Sequence, residues 1–304
     1  MSQPRILILG ADSLIGSSLC HHLGSSAIGT SRHASQAGHI HLDLSAAGAA
    51  KQLDGVFDAA ILCAAMTRHD QCTADPVAAL RSNVQAPAEI AGALMARGTH
   101  VVFLSTDSVF GANNPVRSED DPVQPGEHTY PAMKAQAEKS LALIAAGSGM
   151  ASQLAVVRMT KVVSARREPF GSWCSALKSG QTIEPLCDLL MAPISLRYVV
   201  AALARIATQR IAGVLHLSGA SDLSYAAFAQ GLARKMNRLE NVNPRSARQA
   251  GVQPSYWPRY SRLTMPRTQG LAGLKPQGAE QVACDLLDEF RSLTAVNAPC
   301  DIAA

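Results

Sequence analysis

What this sequence lacks narrows the field first. Its cysteines, at 20, 63, 72, 174, 187, 284 and 300, are scattered, and no two form a Cys-x-x-Cys pair. An odd count without metal spacing argues against a disulfide framework and for free thiols in a reducing compartment. No apolar run is long enough for a membrane span, and Met1-Ser2-Gln3-Pro4 leads into a run too short for a signal peptide. The expectation is a cytoplasmic protein without a membrane partner. A basic run is missing too: the formal net charge is only +4, carried more by Arg than by Lys. That leaves no electrostatic footprint for nucleic acid. There is no internal repeat and no low-complexity tract. His39 and His41 have no third ligand nearby in the sequence, so no metal site is expected.

What is present reads as an α/β protein. The 304 residues suffice for one large α/β domain, or a large one plus a small one. Arg5 to Leu9 is a short, mostly apolar run of the kind that suits a strand buried on both faces. Gly10-Ala11-Asp12-Ser13-Leu14-Ile15-Gly16 follows, and then a helical pattern to about Leu23. Strand, glycine turn and helix in that order form the dinucleotide arrangement, with the helix N-terminus facing a pyrophosphate. The spacing is Gly-x-x-Ser-x-x-Gly. Ser13 stands in a glycine position, and its hydroxyl is able to bond phosphate.

A second strand, Ala27 to Thr30, ends in Ser31-Arg32-His33. An acidic residue here would hold the ribose diol of NAD, whereas an arginine accommodates the 2′-phosphate of NADP. The tip carries no Asp or Glu, and Thr30, Ser31 and Arg32 read as a phosphate pocket. NADP(H) is favoured and NAD(H) stays possible. The stretch 39–44 alternates like a short strand, and Asp43 and Leu44 could flank the adenine. A further buried strand ends in the small residues Cys63-Ala64-Ala65, which let a cofactor approach the backbone. Asp75-Pro76 opens a helical region that runs past Asn83 to about Ala96.

Thr99 to Leu104 is another strand, with Ser105-Thr106 at its carboxyl end, where ligands bind in open α/β sheets. Tyr130 and Lys134 lie four apart on a helix expected from about Tyr130 to Ala142. Pro131 is tolerated in its first turn. The Lys134 charge is expected to pull the Tyr130 pKa from about 10 towards neutrality. Such a tyrosine can give a proton to a carbonyl oxygen or take one from an alcohol. The hydroxyl of Thr106 or Ser105 could bond the same oxygen.

Residues 111–129 form a long loop, and 165–195 read as polar and irregular. The expected organisation is a Rossmann-type, doubly wound parallel sheet with a smaller C-terminal substrate lobe. The dinucleotide-binding domain takes residues 1–164 and 196–219. The substrate lobe takes 165–195 and 220–304. Within the lobe, Arg259 and Arg262 are candidates for substrate phosphates, with Trp257 and Tyr260 offering stacking faces for a base.

Taken together, Gly10-x-x-Ser-x-x-Gly16, Cys63-Ala64-Ala65, Asn83, Ser105-Thr106-Asp107-Ser108-Val109-Phe110-Gly111 and Tyr130-x-x-x-Lys134 resemble the extended short-chain dehydrogenase/reductases. The pattern looks most like the dTDP-4-dehydrorhamnose reductases and their relatives. The resemblance implies a catalytic set of Thr106, Tyr130 and Lys134. It implies cofactor contacts from Gly10, Asp12, Ser13, Leu14 and Ile15, from Ser31, Arg32, Asp43 and Leu44, and from Cys63, Ala64, Ala65 and Asn83, with Tyr130 and Lys134 shared. Substrate contacts would come from Met66, Thr67, Thr106, Asp107, Val109 and Phe110.

The activity so implied is NADPH-dependent reduction of a keto group on a nucleotide-linked sugar, with the tyrosine as proton donor. Asp107 is followed by Ser108, where the dehydratases of the wider group carry an Asp-Glu pair, so dehydration is disfavoured. The alternatives are a nucleotide-sugar epimerase and a non-catalytic cofactor-binding regulatory subunit. The wider group commonly dimerises through helices flanking the active site, which leaves a homodimer open.

Overall fold

The structure is a computed structural model and describes residues 3–33, 38–46, 48–67, 69–113, 115–126, 128–253 and 257–296. The chain opens with β1 (Ile6–Leu9), α1 (Leu14–Leu23), β2 (Ala27–Ser31), β3 (Ile40–His41) and β4 (Ala59–Leu62). Three helices, α2 (His69–Ala74), α3 (Pro76–Leu80) and α4 (Ala86–Met95), cross over to β5 (His100–Thr106). Then come α5 (Thr129–Gly147), β6 (Leu154–Met159), β7 (Lys161–Val163), α6 (Phe170–Lys178), β8 (Leu190–Met191) and β9 (Pro193–Ser195). The last part holds α7 (Leu196–Thr208), β10 (Gly213–Leu217), β11 (Leu223–Ser224), α8 (Tyr225–Lys235), α9 (Ala247–Ala250), α10 (Pro266–Ala272) and α11 (Ala279–Val296).

Seven strands form one sheet in the order β10-β6-β5-β4-β1-β2-β3, and every neighbouring pair is parallel. The apolar runs of the sequence explain this sheet, because successive side chains point to opposite faces and both faces are covered. Leu7, Leu9, Leu62, Val101 and Phe103 feed one core with Ile90 and Leu94 of α4 and Leu141 of α5. Ile6, Ile8, Ile61, Val102 and Leu104 feed the other with Leu19 of α1 and Val199, Leu203 and Ile206 of α7. Each large side chain so buried contributes about 1.5–3 kcal/mol. The chain order reverses between β1 and β4, which opens a crevice at their carboxyl ends.

A third core lies outside the sheet. Phe170, Trp173 and Leu177 of α6 pack with Phe228 and Leu232 of α8 and with Val282 and Leu286 of α11. Phe170 meets both Trp173 and Phe228 edge-on, at 5.7 and 5.9 Å between ring centres. Here the structure corrects the sequence reading, which had this stretch irregular. Gly171 and three serines in or beside α6 lower its intrinsic helix preference. Its apolar residues at 170, 173, 174 and 177 still make one buried stripe, and packing decides. The strand expected over 39–44 shortens to two residues, and α5 extends beyond Ala142 to Gly147.

A buried ion pair fixes α5 against the sheet. Glu138 of α5 accepts from Arg158 of β6 at 2.7 Å, and from the Ser105 hydroxyl of β5 at 2.5 Å. Both charged side chains are under a tenth exposed. Breaking such a pair by removing one partner costs about 3–5 kcal/mol, because the other charge stays buried. Urea unfolding of Glu138→Gln should therefore show a loss of about 3 kcal/mol or more. The double variant Glu138→Leu with Arg158→Met should recover most of that loss. A single variant with near-normal stability would show that the pair does not hold the helix.

Candidate active site

The glycine turn is built for close approach. Gly10 has φ 80°, and a Cβ there would lie 2.8 Å from the Ala64 Cβ at the end of β4. A Cβ on Gly16 would lie 2.1 Å from the Gly10 carbonyl oxygen. Ser13 is the N-cap of α1: its Oγ accepts from the Gly16 N–H at 3.0 Å. The serine in the glycine position thus closes the first turn and keeps its own hydroxyl proton for a ligand. Leu14 and Ile15 follow on the helix, and Cys63, Ala64 and Ala65 face them half-buried. A helix N-terminus, two glycines that admit no side chain and a wall of small residues fit the pyrophosphate of a dinucleotide.

The tip of β2 differs from its sequence reading. Thr30 is buried and its Oγ1 accepts from the Gly10 N–H at 3.1 Å. The Ser31 hydroxyl donates to the Asp12 carboxylate at 2.5 Å, while its oxygen accepts from the His33 N–H at 2.9 Å. The expected carboxylate-free tip therefore carries one, brought from the glycine turn nineteen positions earlier in the chain. Arg32 is exposed beside it. Asp43 is held below the usual carboxylate range by the Ser45 hydroxyl and N–H, with His41 and Arg32 adding to the effect.

The hydroxyl-bearing residues expected to react line the same cleft. Ser13, Leu14, Ile15, Cys63, Ala65 and Thr67 share a cleft of about 630 Å³ with Thr106, Asp107 and Tyr130. The Thr106 oxygen caps the turn after β5 by accepting from the Ser108 N–H at 3.2 Å. It lies 3.1 Å from Asp107 Oδ1 and 3.0 Å from Ser108 Oγ. Asp107 also accepts from the Ser261 hydroxyl at 2.6 Å, which ties the turn after β5 to the C-terminal part. Burial nevertheless pushes the Asp107 carboxyl up.

The expected tuning of Tyr130 is reversed in this state. Burial pushes the phenol above its ordinary value, and the neighbouring Cys72 and Asp107 push the same way. Lys134 is buried, donates from Nζ to the Leu104 carbonyl at 2.8 Å, and sits 4.4 Å from the centre of the Phe103 ring. Burial pulls the lysine down to about 8, against the pull of Glu138 one turn further on. Desolvation outweighs charge here, and it acts on both groups.

Some expected contacts are not assembled. Asn83 is fully buried and clamps Met66: its Oδ1 accepts from the Met66 N–H at 2.8 Å, and its Nδ2 donates to the Met66 carbonyl at 2.9 Å. It shapes the loop after β4 and is not among the residues that line the cleft. Val109 and Phe110 are buried with Ala135 and Leu263, as core and not as cleft wall. Arg259 is exposed, and Arg262 donates its backbone N–H to Asp222 at 2.8 Å. Neither lines the cleft; Pro258 and Ser261, from the same segment, do. Lys161, Arg167 and Tyr225 line it as well and were missed. Lys161 had a usable signal, since it stands two residues past the carboxyl end of β6.

Comparisons with known proteins show the family and the fold. The family described as the RmlD substrate binding domain matches residues 4–292. The chain belongs to that family. It is of the extended short-chain dehydrogenase/reductase type, as the motifs implied. A dTDP-4-dehydrorhamnose reductase from Streptomyces griseus is 26% identical to this RmlD-family chain over 287 residues, covering 90% of each. The Bacillus anthracis dTDP-4-dehydrorhamnose reductase, solved in complex with NADP, superposes with a TM-score of 0.81 at 20% identity. That likeness covers 95% of this chain and 100% of the other. MoeE5 in complex with UDP-glucose and NAD gives 0.77 at 23% identity, over 95% of this chain and 99% of the other. Among the described residues, no helix is long and apolar enough to cross a membrane.

The depressed Lys134 has a consequence for stability. Its ordinary value is 10.5 and its folded value about 8, so between those values the unfolded chain binds more protons. Its contribution to stability is then lost as pH falls through about 8 and fully present above about 10.5. At full extent the difference is about 3 kcal/mol. Denaturation of wild type and Lys134→Met across pH 7 to 11 should show the wild type gaining on the variant as pH rises. Parallel profiles would mean that Lys134 titrates normally.

Proposed function

We propose that this chain reduces a keto group on a nucleotide-linked sugar, in the manner of a dTDP-4-dehydrorhamnose reductase, with NADPH favoured and NADH accepted. The observation that carries the reading is one cleft with two halves. The cradle of β1 and α1 lies on one side, and the Thr106 and Tyr130 hydroxyls lie on the other. Membership of the RmlD family, the named reductase of Streptomyces griseus and the NADP in the Bacillus anthracis structure support it.

When bound, the reduced nicotinamide supplies the hydride. Tyr130 supplies the proton. The phenol holds the proton to be given, and burial also makes it a weaker acid than a free tyrosine, so the Lys134 charge has to offset that cost as the proton leaves. Thr106 orients that oxygen by turning its hydroxyl proton away from Asp107 and Ser108. Lys134 lies one turn along α5 and provides the counter-charge when the phenol has given up its proton. Its ammonium has donors beyond the one used on Leu104, and these suit the cofactor ribose.

In this reading residues 1–164 and 196–219 hold the dinucleotide, and 165–195 and 220–304 read the sugar. Lys161 and Arg167 on the cleft wall replace Arg259 and Arg262 as the cations for substrate phosphates, with Thr67 beside them; Met66 packs against the core instead. A cytoplasmic location and a homodimer complete the reading. Some neighbours of the same fold are epimerases or dehydratases by name. An epimerase would regenerate its cofactor in each cycle, and a regulatory subunit would turn nothing over.

The test is Tyr130→Phe, which keeps the ring and removes the hydroxyl. Turnover of a nucleotide-linked 4-keto sugar should fall by about 10²-fold or more. The dissociation constant for NADPH should stay within about twofold of wild type. Near-normal turnover would remove Tyr130 from the mechanism.

A further inference from the structure

We infer that Asp12 sets the choice between NADPH and NADH by opposing Arg32 at the tip of β2. The inference rests on the dinucleotide reading above and goes beyond it. The Ser31 hydroxyl has one proton, and it is spent on Asp12 at 2.5 Å. The Ser31 oxygen is taken by the His33 N–H. The Thr30 oxygen is taken by the Gly10 N–H, and Thr30 is 2% exposed. The Ser31 proton is therefore committed to Asp12, and burial withholds the Thr30 hydroxyl from a 2′-phosphate.

Among the described residues that the sequence assigned to the cofactor, the exposed charges at the tip are the Arg32 guanidinium and the Asp12 carboxylate; the Asp43 carboxylate, half-buried and engaged by Ser45, also interacts with Arg32. Their chemistry divides the two cofactors. A guanidinium pairs with a phosphate dianion, whereas a carboxylate accepts from a ribose diol and repels a phosphate. Asp12 is carried by the glycine turn and braced by Ser31, so it acts where an acidic residue at the end of β2 would otherwise act. The tip then admits both cofactors, and neither charge alone decides.

The test is binding, read by NADPH and NADH fluorescence in titrations of the full chain, which needs no turnover. Asp12→Asn keeps an acceptor for Ser31 and removes the charge. It should tighten NADPH by about fivefold, the scale of one exposed charge, and leave NADH unchanged or weaker. Arg32→Ala should move the ratio of the two dissociation constants the other way. The Asp12→Asn effect should shrink at high salt, as a charge effect must and a packing effect need not. Asp12→Ser serves as a second variant and should shift the ratio in the same direction. Equal changes in both cofactors, or an unchanged ratio in both variants, would overturn the inference and leave the reductase reading standing. Failure of the wild type to bind either cofactor would overturn both.

Discussion

The site depends on how α5 is held. A helix that brings Tyr130 to the cleft must sit at one height and one rotation over the carboxyl ends of the strands. Glu138 secures both, because it lies on the same stripe as Tyr130 and Lys134, two turns along. Its carboxylate is gripped by Arg158 from β6 and Ser105 from β5, so the helix is tied to two adjacent strands at once. Arg158 in turn stacks 4.9 Å from the centre of the Phe110 ring, under the turn that begins with Thr106. One buried pair therefore fixes the relative position of the hydroxyls at 106 and 130. A buried pair of this kind adds less to stability than apolar packing would, and its value lies in the geometry it enforces. The same carboxylate favours charge on Lys134, which burial disfavours.

The turn after β5 is also held from the other direction. Ser261 bonds Asp107, and Thr268 bonds Glu119 through both its N–H and its hydroxyl. Arg117 and Leu263 form an isolated parallel bridge. The segment from 258 to 268 thus braces the loop that follows Thr106 and brings Pro258 and Ser261 to the cleft. Residues that line the cleft and residues that brace the Thr106 turn thus belong to one segment, so changes in the C-terminal part can reach Thr106 without touching it.

What the sequence showed and what it hid separate along one line. The β1–Gly10–α1 unit, the end of β5 at Thr106 and the Tyr130 helix are local patterns, and local patterns survive folding. Contacts between distant segments do not appear in any window. Asp12 meets Ser31 across the glycine turn, and neither neighbourhood alone reveals it. The 257–262 segment has no regular period to say which residues face inward, so Arg259 and Arg262 were chosen where Pro258 and Ser261 line the cleft. Asn83 was taken for a cofactor residue because its motif position matches, yet its amide is spent on the Met66 backbone. The Tyr130 reading failed for an energetic reason: counting charges along a helix leaves out the cost of burying them.

The central claim is that one cleft joins a reduced dinucleotide to a keto sugar with net transfer of hydride. It is tested most directly by mixing the protein with NADPH and a nucleotide-linked 4-keto sugar, then following cofactor absorbance and the mass of the sugar together. The account predicts that NADPH disappears one for one with the ketone and that the product carries two additional hydrogens. A sugar converted to an isomer of unchanged mass, with the NADPH level constant, would contradict it.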